Sequence, residues 1–128
     1  MKMADKKKIL IVEDEPGERA WLAAFFGDHG FDTETAVDGE DGFTKASGGG
    51  IDLITLDITM DNQSGVKMFS NLQRTPATQN IPVIMITGLA REFKTFIERT
   101  RQVKDPAGYF EKPVDRDELL TKVRELIG

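Results

Sequence analysis

Five residues that could hold a metal ion and a phosphoryl group each come at the end of an apolar run. Glu13 and Asp14 follow KILIV, Asp57 follows IDLITL, Thr87 follows IPVIMI, and Lys112 follows GYFE. If these runs are parallel strands of one sheet, the five side chains emerge along one edge, because the carboxyl ends of parallel strands lie together. An acid pair, a lone acid, a hydroxyl and an ammonium group would then share one pocket.

The three carboxylates of this set are suited to a hard divalent cation. Acids held within a few ångströms of each other repel, unless one is protonated or a cation neutralises them. Magnesium takes oxygen ligands and is commonly bound by one or two carboxylates together with phosphate oxygens. Asp57 could act as a nucleophile toward phosphorus, while Lys112 and Thr87 neutralise charge and donate a hydrogen bond.

The elements that must position these residues alternate between short apolar runs and longer amphipathic stretches. This alternation predicts an α/β fold of five βα units around a parallel sheet. The predicted strands are residues 8–12, 31–36, 51–56, 82–86 and 108–111. The predicted helices begin at Pro16, cover residues 42–46, 65–74 and about 93–100, and follow a capping box formed by Asp115 and Glu118.

Length, charge and cysteine content restrict the class of protein. A chain of 128 residues fits one domain, and we expect residues 1–7 to be a lead-in and no effector domain to be present. The net charge of −5 argues against broad nucleic-acid or anionic-membrane binding, and the lack of cysteine excludes disulfides and thiolate chemistry. Because no apolar run reaches the length of a membrane span and no secretory signal is visible, we expect a cytoplasmic protein.

Taken in order, the motifs resemble the receiver domain of two-component response regulators. They are the acid pair in VEDEP, D-x-x-M with a glycine eight residues after the aspartate, the threonine in MITG, and Y-x-x-K-P in YFEKP. Each motif alone is weakly specific, but the ordered set spans essentially the whole chain. The resemblance implies a doubly wound, flavodoxin-like (βα)5 fold with strand order 2-1-3-4-5 and a cis peptide bond between Lys112 and Pro113.

The resemblance also implies how the acids act. Asp57 would be the phosphoacceptor, taking a phosphoryl group from the phosphohistidine of a histidine kinase or a histidine phosphotransfer protein. Glu13, Asp14, Asp57 and the backbone carbonyl of Thr59 would bind Mg²⁺. The protein would then be a phosphorelay component that catalyses only its own phosphorylation and dephosphorylation, and not an enzyme with a free small-molecule product.

A conformational switch is a further implication of the resemblance. Thr87 and Lys112 would hold the phosphoryl oxygens, and the ring of Tyr109 would move inward with Thr87. Phosphorylation would favour the conformation that places these groups around the new charge, which is a population shift. The face formed by the fourth helix, fifth strand and fifth helix would then bind a downstream protein partner, with the receiver itself a monomer or a weak homodimer.

Two features depart from the family pattern. Asp61 stands where the family usually has a proline, and we expect it to alter metal affinity or phosphoryl lifetime. Thr87 and Lys112 are 25 positions apart, a few more than is usual, which predicts an extended fourth helix.

Other interpretations of the same residues remain open. Acids after strands are often only helix caps, and Tyr109 could be an ordinary core ring. The whole chain could be a receiver-like scaffold that binds partners without phosphorylation. A flavodoxin-like cofactor binder would need a glycine-rich first loop, which is absent. An aspartyl phosphatase would usually have a second acid two residues after Asp57, where Thr59 stands.

Overall fold

The computed structural model describes residues 6–58, 64–88 and 105–128 of the chain. Its strands are β1 (Lys8–Val12), β2 (Asp32–Ala36), β3 (Leu53–Asp57), β4 (Val83–Thr87) and β5 (Gly108–Glu111). All four pairings between neighbouring strands are parallel, and the order across the sheet is β2-β1-β3-β4-β5. The predicted α/β class and strand order are therefore confirmed.

The described helices are α1 (Pro16–Asp28), α2 (Gly39–Ser47), α3 (Ser64–Arg74) and α4 (Arg116–Ile127). The C-terminal helix α4 is thus the fifth helix of the sequence prediction. The predicted fourth helix lies outside the described residues, as do Thr59 and Asp61. None of the described helices is long and apolar enough to cross a membrane.

The helix ends follow from local side-chain chemistry. Glu15 caps α1 by accepting from the backbone N–H of Gly17, and Asp115 caps α4 by accepting from that of Glu118 at 3.0 Å, as the capping box predicts. The second helix starts earlier than residue 42, because the Asp38 carboxylate accepts a 2.8 Å hydrogen bond from the Asp41 N–H.

The hydrophobic core occupies both faces of the sheet. On one face α2 and α3 cover a buried cluster that includes Val12, Leu56, Met68, Phe69 and Met85. On the other face α1 and α4 cover Ile9, Ile11, Phe26, Leu119 and Val123. Every residue of the central strands β3 and β4 is buried, as their continuous apolar runs predict, whereas the polar strand β2 lies at the edge. Packing on both faces fixes the position of the carboxyl edge of the sheet, where the candidate site residues lie.

Candidate functional site

The structure brings the five predicted residues to the carboxyl edge of the sheet. Glu13 and Asp14 directly follow β1, and Lys112 directly follows β5. Asp57 and Thr87 are the last residues of their strands, and do not follow them as expected, because Asp57 still pairs with Ile86 and Thr87 with Glu111. The peptide bond between Lys112 and Pro113 is cis, as the resemblance implies.

Three carboxylates form a compact acidic cluster at this edge. Glu13, Asp14 and Asp57 each contribute one oxygen, and these oxygens lie within 4.8 Å of one another. Glu13 and Asp57 are 2% and 4% exposed, whereas Asp14 is exposed to solvent. Within the described part of the chain, the buried Oε2 atom of Glu13 has no hydrogen-bond partner. A buried acceptor without a donor, beside two further carboxylates, fits a hard cation such as Mg²⁺.

The ammonium group of Lys112 lies against this cluster. Its Nζ atom is 2.9 Å from Glu13 Oε1 and 3.1 Å from Asp57 Oδ2. It also forms an ion pair with Glu18, a residue of α1. Although partial burial lowers the pKa of Lys112, its hydrogen bonds to Glu18 and Glu13 and the field of Asp57 outweigh that effect and raise the pKa above its usual range.

The electrostatics of Glu13 show how strongly negative charge is concentrated here. Burial, followed by the proximity of Asp57, raises the pKa of Glu13 to about 9. The pKa of Glu18 is instead lowered, first by its hydrogen bond to Glu13 and then by Lys112. The protonation of each carboxylate in the pocket therefore depends on its neighbours and on the shared Lys112 ammonium group. A bound divalent cation would favour the state in which all of these carboxylates are ionised.

Thr87 and Tyr109 lie on the same face of the sheet. Thr87 is fully buried at the end of β4. Tyr109 pairs with Met85, two residues before Thr87, so the two-residue period of a strand puts both side chains on one side. The Tyr109 ring is half-buried against the core cluster that contains Met85, and its hydroxyl donates to Glu111 Oε1 at 3.1 Å.

Two residues of α1 that the sequence analysis missed also reach the site. Arg19 donates from Nη1 to the backbone carbonyl of Glu13 at 2.9 Å and lies 3.4 Å from that of Asp14, so it fixes the loop that carries the acid pair. Glu18 reaches Lys112 from the neighbouring position. Their place in the first turn of α1, about one turn after Asp14, is the sequence signal that could have identified them.

A cavity of about 240 Å³ lies beside the ammonium group. Its wall includes Glu18, Trp21, Lys112, Pro113 and Arg116. The guanidinium carbon of Arg116 lies 5.3 Å from the centre of the Trp21 ring, within range of a cation–π interaction. Trp21, the only tryptophan of the chain, therefore shares a cavity with Lys112 and can report on it by fluorescence.

Comparison with known sequences matches this chain to one family. The model of the response regulator receiver domain matches residues 9–124. Protein PilH of Pseudomonas aeruginosa is 31% identical over 121 residues, which cover 94% of this chain and 98% of PilH. The transcriptional regulator RpaA of Synechocystis is 33% identical over 122 residues, which cover 94% of this chain and 48% of RpaA. The chain thus spans nearly all of PilH, about half of RpaA, and 11% of the gliding motility regulatory protein of Myxococcus xanthus.

Solved structures show the same architecture. The response regulator TrrA of Thermotoga maritima, solved in complex with Mg²⁺ and BeF, is 28% identical and has a TM-score of 0.80, with 94% of this chain and 99% of TrrA covered. The chemotaxis protein CheY4 of Vibrio cholerae, at 23% identity and a TM-score of 0.82, shares the fold. With its strand order, its edge-clustered acids and the match across most of its length, this chain belongs to the receiver domain family of two-component response regulators.

Proposed function

We propose that this protein is a phosphoacceptor in a two-component phosphorelay, with Asp57 as the residue that is phosphorylated. The observation that carries the proposal is the contact of Lys112 Nζ with both Glu13 and Asp57, which joins residues 99 and 55 positions apart at the acidic cluster. A structural scaffold has no need to hold two buried carboxylates against a partly buried ammonium group, since desolvating charges is costly.

In the proposed transfer, an Asp57 carboxylate oxygen attacks the phosphorus atom of a phosphohistidine. The new O–P bond forms as the P–N bond breaks, and the imidazole nitrogen keeps the electron pair. In the separate dephosphorylation step, a water oxygen attacks phosphorus as the O–P bond to Asp57 breaks; the carboxylate keeps the electron pair, the water gives up a proton to solvent, and inorganic phosphate leaves. The donor would be a histidine kinase or a histidine phosphotransfer protein.

The residues of the pocket would act mainly by positioning and by neutralising charge, which is what phosphoryl transfer requires. Glu13, Asp14 and Asp57 would hold Mg²⁺, together with the Thr59 carbonyl oxygen, which lies outside the described residues. When bound, the ion would neutralise phosphoryl oxygens. Lys112 would donate to a phosphoryl oxygen from its position 3.1 Å from Asp57.

Switching would begin at Thr87 and Tyr109. The hydroxyl of Thr87 would donate to a phosphoryl oxygen, and the space it leaves would allow the Tyr109 ring to move inward along the same face of the sheet. The hydrogen bond from Tyr109 to Glu111 would break in that movement. The surface around β5 and α4, together with the predicted fourth helix, would then be read by a downstream protein.

A phosphodonor assay tests the proposal. The full chain is incubated with Mg²⁺ and acetyl phosphate, and intact-mass spectrometry follows the addition of one phosphoryl group. We expect labelling of the unmodified protein, none with Asp57→Asn, and normal labelling with Asp117→Asn, which changes an exposed acid of α4. An unmodified protein that stays unlabelled, or an Asp57→Asn variant that is labelled as well as the Asp117→Asn control, would overturn the proposal.

A further inference from the structure

The Lys112 ammonium group has a third carboxylate partner in addition to the two acids of the cluster. An ammonium group has three protons to donate, and Glu13, Asp57 and Glu18 all lie within ion-pair distance of Nζ. Its donor capacity is therefore fully used. A phosphoryl oxygen can accept a hydrogen bond from Lys112 only if one of these carboxylates gives up its place.

Glu18 differs from the other two carboxylates in position and exposure. Its side chain is 36% exposed, against 2% for Glu13 and 4% for Asp57. It comes from the first turn of α1, where the Glu15 carboxylate fixes the helix start by accepting from the Glu18 N–H at 2.6 Å. In the described part of the chain, Lys112 is the only cation that forms a salt bridge with Glu18.

We propose that Glu18 is a positioning residue that competes with the phosphoryl group for Lys112 and so limits how strongly the pocket retains that group. The inference rests on the proposed function. Once Asp57 is phosphorylated, its side chain is no longer a free carboxylate. The Glu13 carboxylate can then bind the metal ion instead of pairing with Lys112. Glu18 keeps both its charge and its access to Lys112, so it is the competitor that remains.

The same carboxylate favours metal binding. Glu18 adds negative charge next to Glu13 and Asp57, and it shares the Lys112 ammonium group with these two acids, so that less of the positive charge is left to neutralise them. Both effects help a dication to bind. Removing the Glu18 charge should therefore weaken the binding of Mg²⁺ while it strengthens the binding of a phosphoryl group. These opposite changes are a signature that general damage to the fold would not produce.

The Glu18→Gln variant tests this signature in the full chain. Mg²⁺ is titrated first and beryllofluoride, a stable mimic of a phosphoryl group, is then titrated at saturating Mg²⁺. Trp21 fluorescence reports binding because Trp21 and Glu18 line the same cavity, and fluorine NMR of the bound fluoride provides a second readout. We expect the Kd for Mg²⁺ to rise about twofold and the Kd for beryllofluoride to fall by about two- to fivefold, as for loss of a partly exposed ion pair.

Two further variants separate the contact from the charge. Glu18→Asp keeps the charge but shortens the side chain by one methylene group, so it should lose the contact with Lys112 and bind beryllofluoride more tightly than the unmodified protein. Glu125→Gln removes the same charge from an exposed pair with Lys122 on α4 and should change neither Kd. Circular dichroism and thermal unfolding check that each variant is folded.

The outcomes distinguish the inference from the proposed function. If the unmodified protein binds Mg²⁺ but no beryllofluoride, the proposed function itself fails. If it binds both, and Glu18→Gln leaves the beryllofluoride Kd unchanged or weakens both ligands together, only the role of Glu18 is rejected. A Glu18→Asp variant identical to the unmodified protein would reject direct competition for Lys112.

Discussion

Replacing Lys112 by methionine should destabilise the metal-free protein and make its stability depend strongly on Mg²⁺. The substitution keeps most of the side-chain length but removes the cation that lies 2.9 Å from Glu13 and 3.1 Å from Asp57, both of them almost fully buried. Removing one partner of a buried ion pair typically costs about 3 to 5 kcal/mol, because the remaining charge stays desolvated and uncompensated. Because burial raises the pKa of Glu13 to about 9, Glu13 already holds a proton at neutral pH and Asp57 is the charge left uncompensated, which keeps the loss toward the lower end of that range.

The expected loss is therefore about 3 kcal/mol in the free energy of unfolding, measured by urea denaturation at neutral pH in EDTA. Mg²⁺ would supply the missing positive charge, so the variant should gain more stability from added Mg²⁺ than the unmodified protein does. Lys122→Met is the matched control, because among the described residues Lys122 forms a salt bridge only with Glu125, whose side chain is 60% exposed, and it should cost less than about 1 kcal/mol. A loss below about 1 kcal/mol for Lys112→Met in EDTA would refute the view that Lys112 compensates buried charge.

Three other substitutions have effects that the geometry predicts. Gly65→Ala places a Cβ atom 2.5 Å from the carbonyl oxygen of Asp57, so unfolding in urea should show a loss of at least about 2 kcal/mol and the Mg²⁺ Kd should rise; a neutral result would mean that the start of α3 can shift freely. Arg19→Met removes the hydrogen bond to the Glu13 carbonyl and should raise the Mg²⁺ Kd by about three- to tenfold, measured by calorimetry. Equal affinity would show that the loop after β1 keeps its conformation without Arg19. Asp115→Ala deletes the cap of α4 and should cost about 1 kcal/mol without changing Mg²⁺ affinity; a change in that affinity would contradict the separation of the two regions.

The strand ends could be predicted from the sequence because the signals for them are local. A continuous apolar run that stops at an acid, a threonine or a lysine marks both the end of a strand and the residue that reaches the edge, and the structure places Asp57, Thr87 and Lys112 there. The strand order needed the resemblance, since alternation of elements alone does not fix which strands are neighbours. The start of α2 was misplaced because the capping contact from Asp38 begins the helix before its apolar positions do.

The contacts made by α1 could not be read from the sequence in the same way. Whether Glu18 points to solvent or to Lys112 depends on how α1 is rotated on the sheet, and that rotation is set by side chains such as Leu22 and Phe26 packing in the core. The pairing of Glu18 with Lys112 also joins elements at opposite ends of the chain. Local periodicity predicts the helix but carries no information about which distant charge it will meet.

The sequence separation of the ion pairs has a consequence for biosynthesis. Lys112 meets Glu13 across 99 residues and Asp57 across 55, and β5, which positions the lysine, is the last strand to be made. Contacts between residues so far apart in the sequence form slowly, because the entropy of closing the loop between them must be lost first. A growing polypeptide whose β5 has not yet emerged from the ribosome holds the acids without this counter-ion, so the pocket can be completed only after β5 has been synthesised and has joined the sheet.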